Sequence, residues 1–75
     1  TIPYRLERDS RVNLSIYDLT GRVVKTIIDQ LQASGSHSAS WNSTDNAGQL
    51  VPSGVYFVRL RVGNNVEARK MILTK

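Results

Sequence analysis

Asp-x-x-Gly occurs twice in this chain, at Asp18–Gly21 and Asp45–Gly48, and each copy lies between stretches of strand-forming residues. The spacing predicts a type I turn closed by a glycine at positive φ, the longer hairpin loop with a bulge. The aspartate can accept a hydrogen bond from the backbone two residues on, and the glycine enters the left-handed region without a Cβ clash. Two such units commit the chain to tight reversals between strands.

The flanking segments agree. Val12, Leu14 and Ile16 share one parity, with Arg11, Asn13, Ser15 and Tyr17 on the other, the period of a half-buried strand. Ile2 to Leu6 alternates too, and Pro3, which cannot donate to a ladder, belongs at a strand start or on an edge. Arg22 to Ile28 is β-branched but out of phase: Val23 and Ile27 fall on one face, Val24 and Ile28 on the other. Its apolar spacing also fits a helical stripe. The preceding turn and the β-branching favour a strand, either apolar on both faces or shifted by a bulge. Asp29 to Gly35 reads as a loop. Ser36 to Asn42 then sets His37, Ala39 and Trp41 against a serine-lined face.

Trp41 to Leu60 is the centre of the pattern. It holds the single tryptophan, the second reversal at Asp45 and Gly48, and a three-residue strand, Gln49-Leu50-Val51, stopped by Pro52-Ser53-Gly54. Gly54 opens a strand in which Tyr56, Val58, Leu60 and Val62 point one way and Phe57, Arg59 and Arg61 the other. Trp41 and Tyr56 are expected in the core. Gly63-Asn64-Asn65 is a further turn, and the last strand, Val66 to Lys75, changes phase, which a bulge near Arg69-Lys70 would reconcile. About seven short strands with no helix predict an all-β fold, a two-sheet antiparallel sandwich.

Seventy-five residues make one small domain, which buries roughly 60% of its unfolded surface. With no cysteine, there is neither a disulfide nor a thiol nucleophile. The net charge of +4 suits phosphates or acidic surfaces, but the cations are spread along the chain, as in a solvated surface. Arg59, Arg61, Arg69 and Lys70 could gather across the last hairpin, with Glu67 interrupting them. No helix is available for a nucleic-acid groove and no RNA-binding aromatic motif is present, so nucleic acid is not an expected partner. No apolar run approaches the roughly 20 residues of a transmembrane segment. A start at Thr1 within strand-like sequence suggests a module of a longer protein.

Nothing in the chain points to catalysis. His37 is the only histidine, and no G-x-S-x-G elbow is present to set a nucleophile beside it. Asn42, Thr44, Asp45 and Asn46 offer oxygens, but a calcium ion needs six to eight and the group has one carboxylate; turn capping accounts for the same residues. Tyr17, Phe57 and Trp41 could form a sugar- or base-stacking platform, against which stands a place in the core. No catalytic, cofactor-binding or metal-binding residue is assigned.

Leu14 to Ile27, Ser34 to Leu60 and Ala68 to Lys75 together resemble two related groups. These are the carboxy-terminal sorting domain of the bacterial type IX secretion system and the immunoglobulin-like domain of the flagellar hook-capping scaffold protein. The most specific portions are Tyr17-Asp18-x-x-Gly21-Arg22, Gly35-x-His37-x-x-x-Trp41 and Ser53-Gly54-Val55-Tyr56-Phe57. The resemblance implies an immunoglobulin-like sandwich over residues 1–75, placed as the last module of a secreted protein behind an upstream cargo domain. The ending Lys-Met-Ile-Leu-Thr-Lys favours the sorting domain.

On that reading the chain is a non-catalytic signal that directs cargo across the outer membrane. Its partners are the outer-membrane secretion machinery and a sortase-like protease, and its destination is the cell surface or medium. The sorting candidates it implies are Gly63, Lys70, Met71, Ile72 and Lys75. The alternatives are an accessory carbohydrate-binding or spacer module of an extracellular glycosidase, and the flagellar hook-scaffold domain itself. Leu6-Glu7 stands where Leu-Pro is usual, and Trp41-Asn42-Ser43 where Trp-Asp-Gly is frequent. Open edge strands also leave self-association available.

Overall fold

A computed structural model describes residues 1–74. Six strands follow in chain order: β1 (Ile2–Leu6), β2 (Ser10–Tyr17), β3 (Val23–Gln32), β4 (Gly35–Ala39), β5 (Gly54–Val62) and β6 (Asn65–Leu73). They form a four-stranded sheet in the order β3-β2-β5-β6 and a two-stranded sheet of β1 and β4, with every pairing antiparallel. The all-β, immunoglobulin-like sandwich expected from the sequence is the observed fold. The seventh strand is not: Gln49-Leu50-Val51 contributes only an isolated bridge, Leu50 to Thr44. Leu50 is exposed; Val51 donates one more bond to the Ser43 carbonyl at 2.9 Å and packs on the core, and Pro52, which has no N–H, ends the pairing there.

β2 realises the alternation read from the sequence. Val12, Leu14 and Ile16 are fully buried, and the cluster of Leu14, Ile16, Ala39, Tyr56 and Val58 joins the two sheets. Ile2 and Tyr4 from β1 pack onto it from above, and Leu60, Met71 and Leu73 from the larger sheet below. Tyr4 stacks on its cross-strand neighbour His37 at 5.3 Å, and its hydroxyl donates to Gln32 at the end of β3. Thus His37 is a partly buried strand residue, with Nε2 2.7 Å from the Ala33 carbonyl oxygen.

The phase conflict in β3 is resolved by two bulges. Leu14 pairs with Ile28 and Ser15 with Thr26, leaving Ile27 extra; Ile16 pairs with Lys25 and Tyr17 with Val23, leaving Val24 extra. Two residues opposing one rotate the strand locally. Val24, Ile27 and Ile28 all reach the core, while Val23 stays exposed. β3 also runs on to Gln32, so the loop expected from Asp29 shrinks to Ala33-Ser34. β4 in turn stops at Ala39, short of Asn42.

The bulge expected near Arg69-Lys70 is absent. β6 pairs with β5 without a break from Val62↔Asn65 to Gly54↔Leu73. Its odd-numbered residues face inward and its even-numbered residues outward throughout. Glu67 and Arg69 break the apolar pattern of the inner face because neither β1 nor β4 covers that end of β6.

Candidate interaction surface

The two reversals are one device used twice. Gly21 N–H donates to the Asp18 carbonyl at 3.0 Å and Gly48 N–H to the Asp45 carbonyl at 3.0 Å. The closing bonds, Asp18 N–H to Arg22 O at 3.0 Å and Asp45 N–H to Gln49 O at 2.9 Å, also match. Gly21 has φ +86° and Gly48 φ +82°. Each aspartate uses Oδ1 to accept two backbone amides, from Thr20 and Arg22 at 2.9 and 3.0 Å, and from Ala47 and Gln49 at 2.9 and 3.0 Å. The Thr20 hydroxyl, donating at 2.7 Å, and the Arg22 amide chiefly hold the Asp18 carboxyl below its ordinary value of 3.8.

The second reversal also seals an edge. Asn46 N–H donates to Val24 O at 3.0 Å, Thr26 N–H donates to Asn46 Oδ1 at 3.1 Å, and Lys25 Nζ reaches Asp45 O at 3.3 Å. The Thr44 hydroxyl donates to Asn42 Oδ1. The oxygens of Asn42, Asp45 and Asn46 are thereby engaged in shaping and docking this loop. Among the described residues, no three of His, Cys, Asp and Glu gather as a metal site.

Above this loop, Trp41 and Tyr56 close the core. Tyr56 is buried as expected; Trp41 is only partly so, because its Nε1–H must reach the Thr44 carbonyl at 2.8 Å. The Tyr56 hydroxyl donates to the Pro52 carbonyl at 2.6 Å. A tyrosine near the start of an inner strand, bonded back to the corner just before it, is a hallmark of immunoglobulin-like sandwiches.

The outer face of the larger sheet is the surface best furnished for contact. Tyr17 and Phe57 are cross-strand partners, and the Arg59 guanidinium carbon lies 5.7 Å from the centre of the Tyr17 ring. Beside them, Asn13 accepts from the buried Ser15 hydroxyl at 2.8 Å, and Arg61 pairs across from Asn13. Arg11 meets Asp29 at 3.0 Å, both side chains being more than half exposed. Lys70 lies across from Phe57. The face combines aromatic rings with guanidinium donors, so it can stack on flat groups and hydrogen-bond to oxygens. Arg69 is not part of it: paired with Val58, it projects from the inner side, so the expected gathering of Arg59, Arg61, Arg69 and Lys70 is reduced by one.

The sorting candidates do not share a surface. Gly63, at φ +57°, begins the two-residue turn between β5 and β6. Lys70 and Ile72 face outward, and Ile72 is 68% exposed, whereas Met71 faces inward across from Tyr56 and packs on the core. Lys75 lies outside the described residues. Gly54 opens β5 as expected, at its pairing with Leu73. Sequence reasoning missed the Arg59–Tyr17 contact, for which the Ser15↔Arg59 and Tyr17↔Phe57 pairings were needed, and the docking role of Asn46, which has no local signal.

The family model for the FlgD Ig-like domain matches residues 1–65. The chain belongs to that family. A FlgD Ig-like domain is what the hook-scaffold side of the resemblance implied, and the match gives no support to its type IX side. Residues 66–75, most of β6, lie beyond the matched span. No curated protein matches the chain.

Proposed function

We propose that this FlgD Ig-like domain is a non-catalytic assembly module, holding its place in a larger extracytoplasmic scaffold through exposed sheet faces. The match over residues 1–65 carries the reading. The Tyr17, Phe57, Arg59 and Arg61 face supports it, since a flat aromatic and cationic sheet surface suits contact with a neighbouring protein domain. The test is an exchange in which this chain replaces the immunoglobulin-like domain of a flagellar hook-capping scaffold protein. Hook assembly, scored by electron microscopy, is the expected result. A chimera that is exported and stable yet builds no hooks would sink the reading.

A second reading is kept for the final strand. Residues 66–75 fall outside the family match and display Lys70 and Ile72 on an exposed strand, as an export signal read by outer-membrane machinery and a sortase-like protease would require. Removing residues 70–75 from a cargo fusion in a type IX host then stops export. Unimpaired export of a folded truncation counts against it. Both readings place the domain outside the cytoplasm.

A further inference from the structure

The outer face of the larger sheet carries most of the chain's excess charge. Cross-strand register sets Arg11, Arg59, Arg61 and Lys70 on this face with a single carboxylate, Asp29. Four cations against one acid leave +3 here, out of +4 for the whole chain. The other acids lie elsewhere. Glu67 faces inward, Asp18 and Asp45 hold the two turns, and Glu7 and Asp9 fall between β1 and β2.

The donors on this face outnumber their acceptors. Arg11 has Asp29 at 3.0 Å, the one ion pair among the described residues. Arg59 is held over the Tyr17 ring, and no described oxygen accepts from it. Arg61 donates only through Nε, to the Gly63 carbonyl at 3.4 Å. Asn13 takes the Ser15 hydroxyl on Oδ1 at 2.8 Å, and its amide N–H groups have no acceptor among the described residues. Arg59, Arg61 and Asn13 line a shallow depression of about 440 Å³ together with Arg11, Asp29 and Tyr17. A carboxylate, which only accepts, supplies what the depression lacks. Arg59 and Arg61 are two positions apart on β5, so their Cα atoms lie about 7 Å apart, the spacing of alternate residues on any facing strand.

Apolar groups on the same face separate the candidate partners. Val66 lies across from Arg61, Val23 across from Tyr17 and Ile72 across from Val55, and all three are exposed. Covering one such side chain contributes about 1.5–3 kcal/mol, which the polar edge of an acidic glycan does not collect. A protein surface with carboxylates at its middle and apolar side chains around them matches both features. A second copy does not, because it would set +3 against +3.

We propose that the depression over Asn13 receives an acidic protein surface, with two Asp or Glu side chains at alternate strand positions meeting Arg59 and Arg61 while apolar neighbours cover Val66 and Ile72. This rests on the outer face being the assembly surface, and it states the chemistry of the partner that face selects.

The probe is a blocked seven-residue peptide with valine at both ends, threonine at even positions, and glutamate at the third and fifth. Its control carries glutamine in place of both glutamates. Titrated into the isotope-labelled chain, the glutamate peptide shifts the backbone amides of Asn13, Ser15, Arg59 and Arg61. It binds at least about threefold more tightly than the glutamine peptide, the scale of two exposed ion pairs. The preference fades in about 1 M salt, where the screening length falls to about 3 Å. A variant with both Arg59→Gln and Arg61→Gln, at exposed positions, loses the preference. Arg69→Gln, one unit of charge removed from the opposite side of the sheet, keeps it.

Unshifted amides, or equal binding of the two peptides, would overturn the proposal. So would digalacturonate binding as tightly as the glutamate peptide, which assigns the face to acidic glycans, or a concentration-dependent dimer that shifts the same amides. Glutamate-selective shifts in a chain whose chimera builds no hooks would sink the assembly reading alone. Equal binding of the two peptides beside normal hooks would sink the carboxylate site alone.

Discussion

Trp41 meets Tyr56 edge to face, with ring centroids 5.3 Å apart and planes at 69°. Each ring sends its polar atom to a loop carbonyl, Trp41 to Thr44 and Tyr56 to Pro52. The pair therefore links the end of the smaller sheet, the second reversal and the start of β5. Tyr56→Phe keeps the ring and deprives the Pro52 carbonyl of its donor, for an expected loss of about 1–2 kcal/mol. A Trp41/Tyr56 double-mutant cycle followed by urea unfolding should yield a coupling of about 0.5–1.5 kcal/mol. Additive single effects would show that the two rings act independently.

Gly21→Ala and Gly48→Ala test the repeated turn. An added Cβ meets no atom within 4 Å at either position, so the cost is purely one of backbone conformation. At φ +86° and +82°, each substitution should lower stability by about 1–2 kcal/mol. Because the turns are separate, the double variant should lose the sum. Unchanged urea midpoints would mean that the turns tolerate other conformations.

Acid should weaken the first reversal. The folded-state pKa of Asp18 is depressed, with the Thr20 hydroxyl bond as the largest cause. Its contribution to stability is therefore present above the ordinary carboxylate value of 3.8 and is lost as pH falls through the lower folded value. The melting temperature of Asp18→Asn should lie below that of the parent at neutral pH and converge with it in strong acid. A gap that stayed constant with pH would remove the charge from the explanation.

Leu14→Ala is the severe core change. Leu14 is fully buried between the sheets, and its truncation should cost roughly 2–5 kcal/mol, against a total of about 5–15 kcal/mol for small domains. By contrast, Arg11→Ala removes an exposed ion pair and should change stability by less than about 1 kcal/mol. Parallel thermal melts rank the two.

What could be read from the residues is what local physics determines. The alternation in β2 and the two Asp-x-x-Gly turns are written within a few positions, and both form as expected. β3 resisted because its bulges are set by the register with β2, so parity alone could not place Val24 and Ile27. β6 resisted for a different reason. Glu67 and Arg69 face inward where no sheet covers them, and the phase change that suggested a bulge instead marks the limit of the overlying layer. Trp41 was placed too deep, because its indole N–H had to find a carbonyl at the core margin. The outer face was legible as separate aromatic and basic residues, and became a surface only once β2, β5 and β6 were in register.

The docking of Asn46 on β3 makes the two rims of the larger sheet unequal. One end of the β3 rim is occupied by the protein's own loop, through the Val24 carbonyl and the Thr26 amide, while among the described residues β6 pairs only with β5. A continuous ribbon of joined sheets needs two receptive rims on every member. The loop blocks one end of the β3 rim to a second copy, which leaves the β6 rim the longer of the two still able to take a strand.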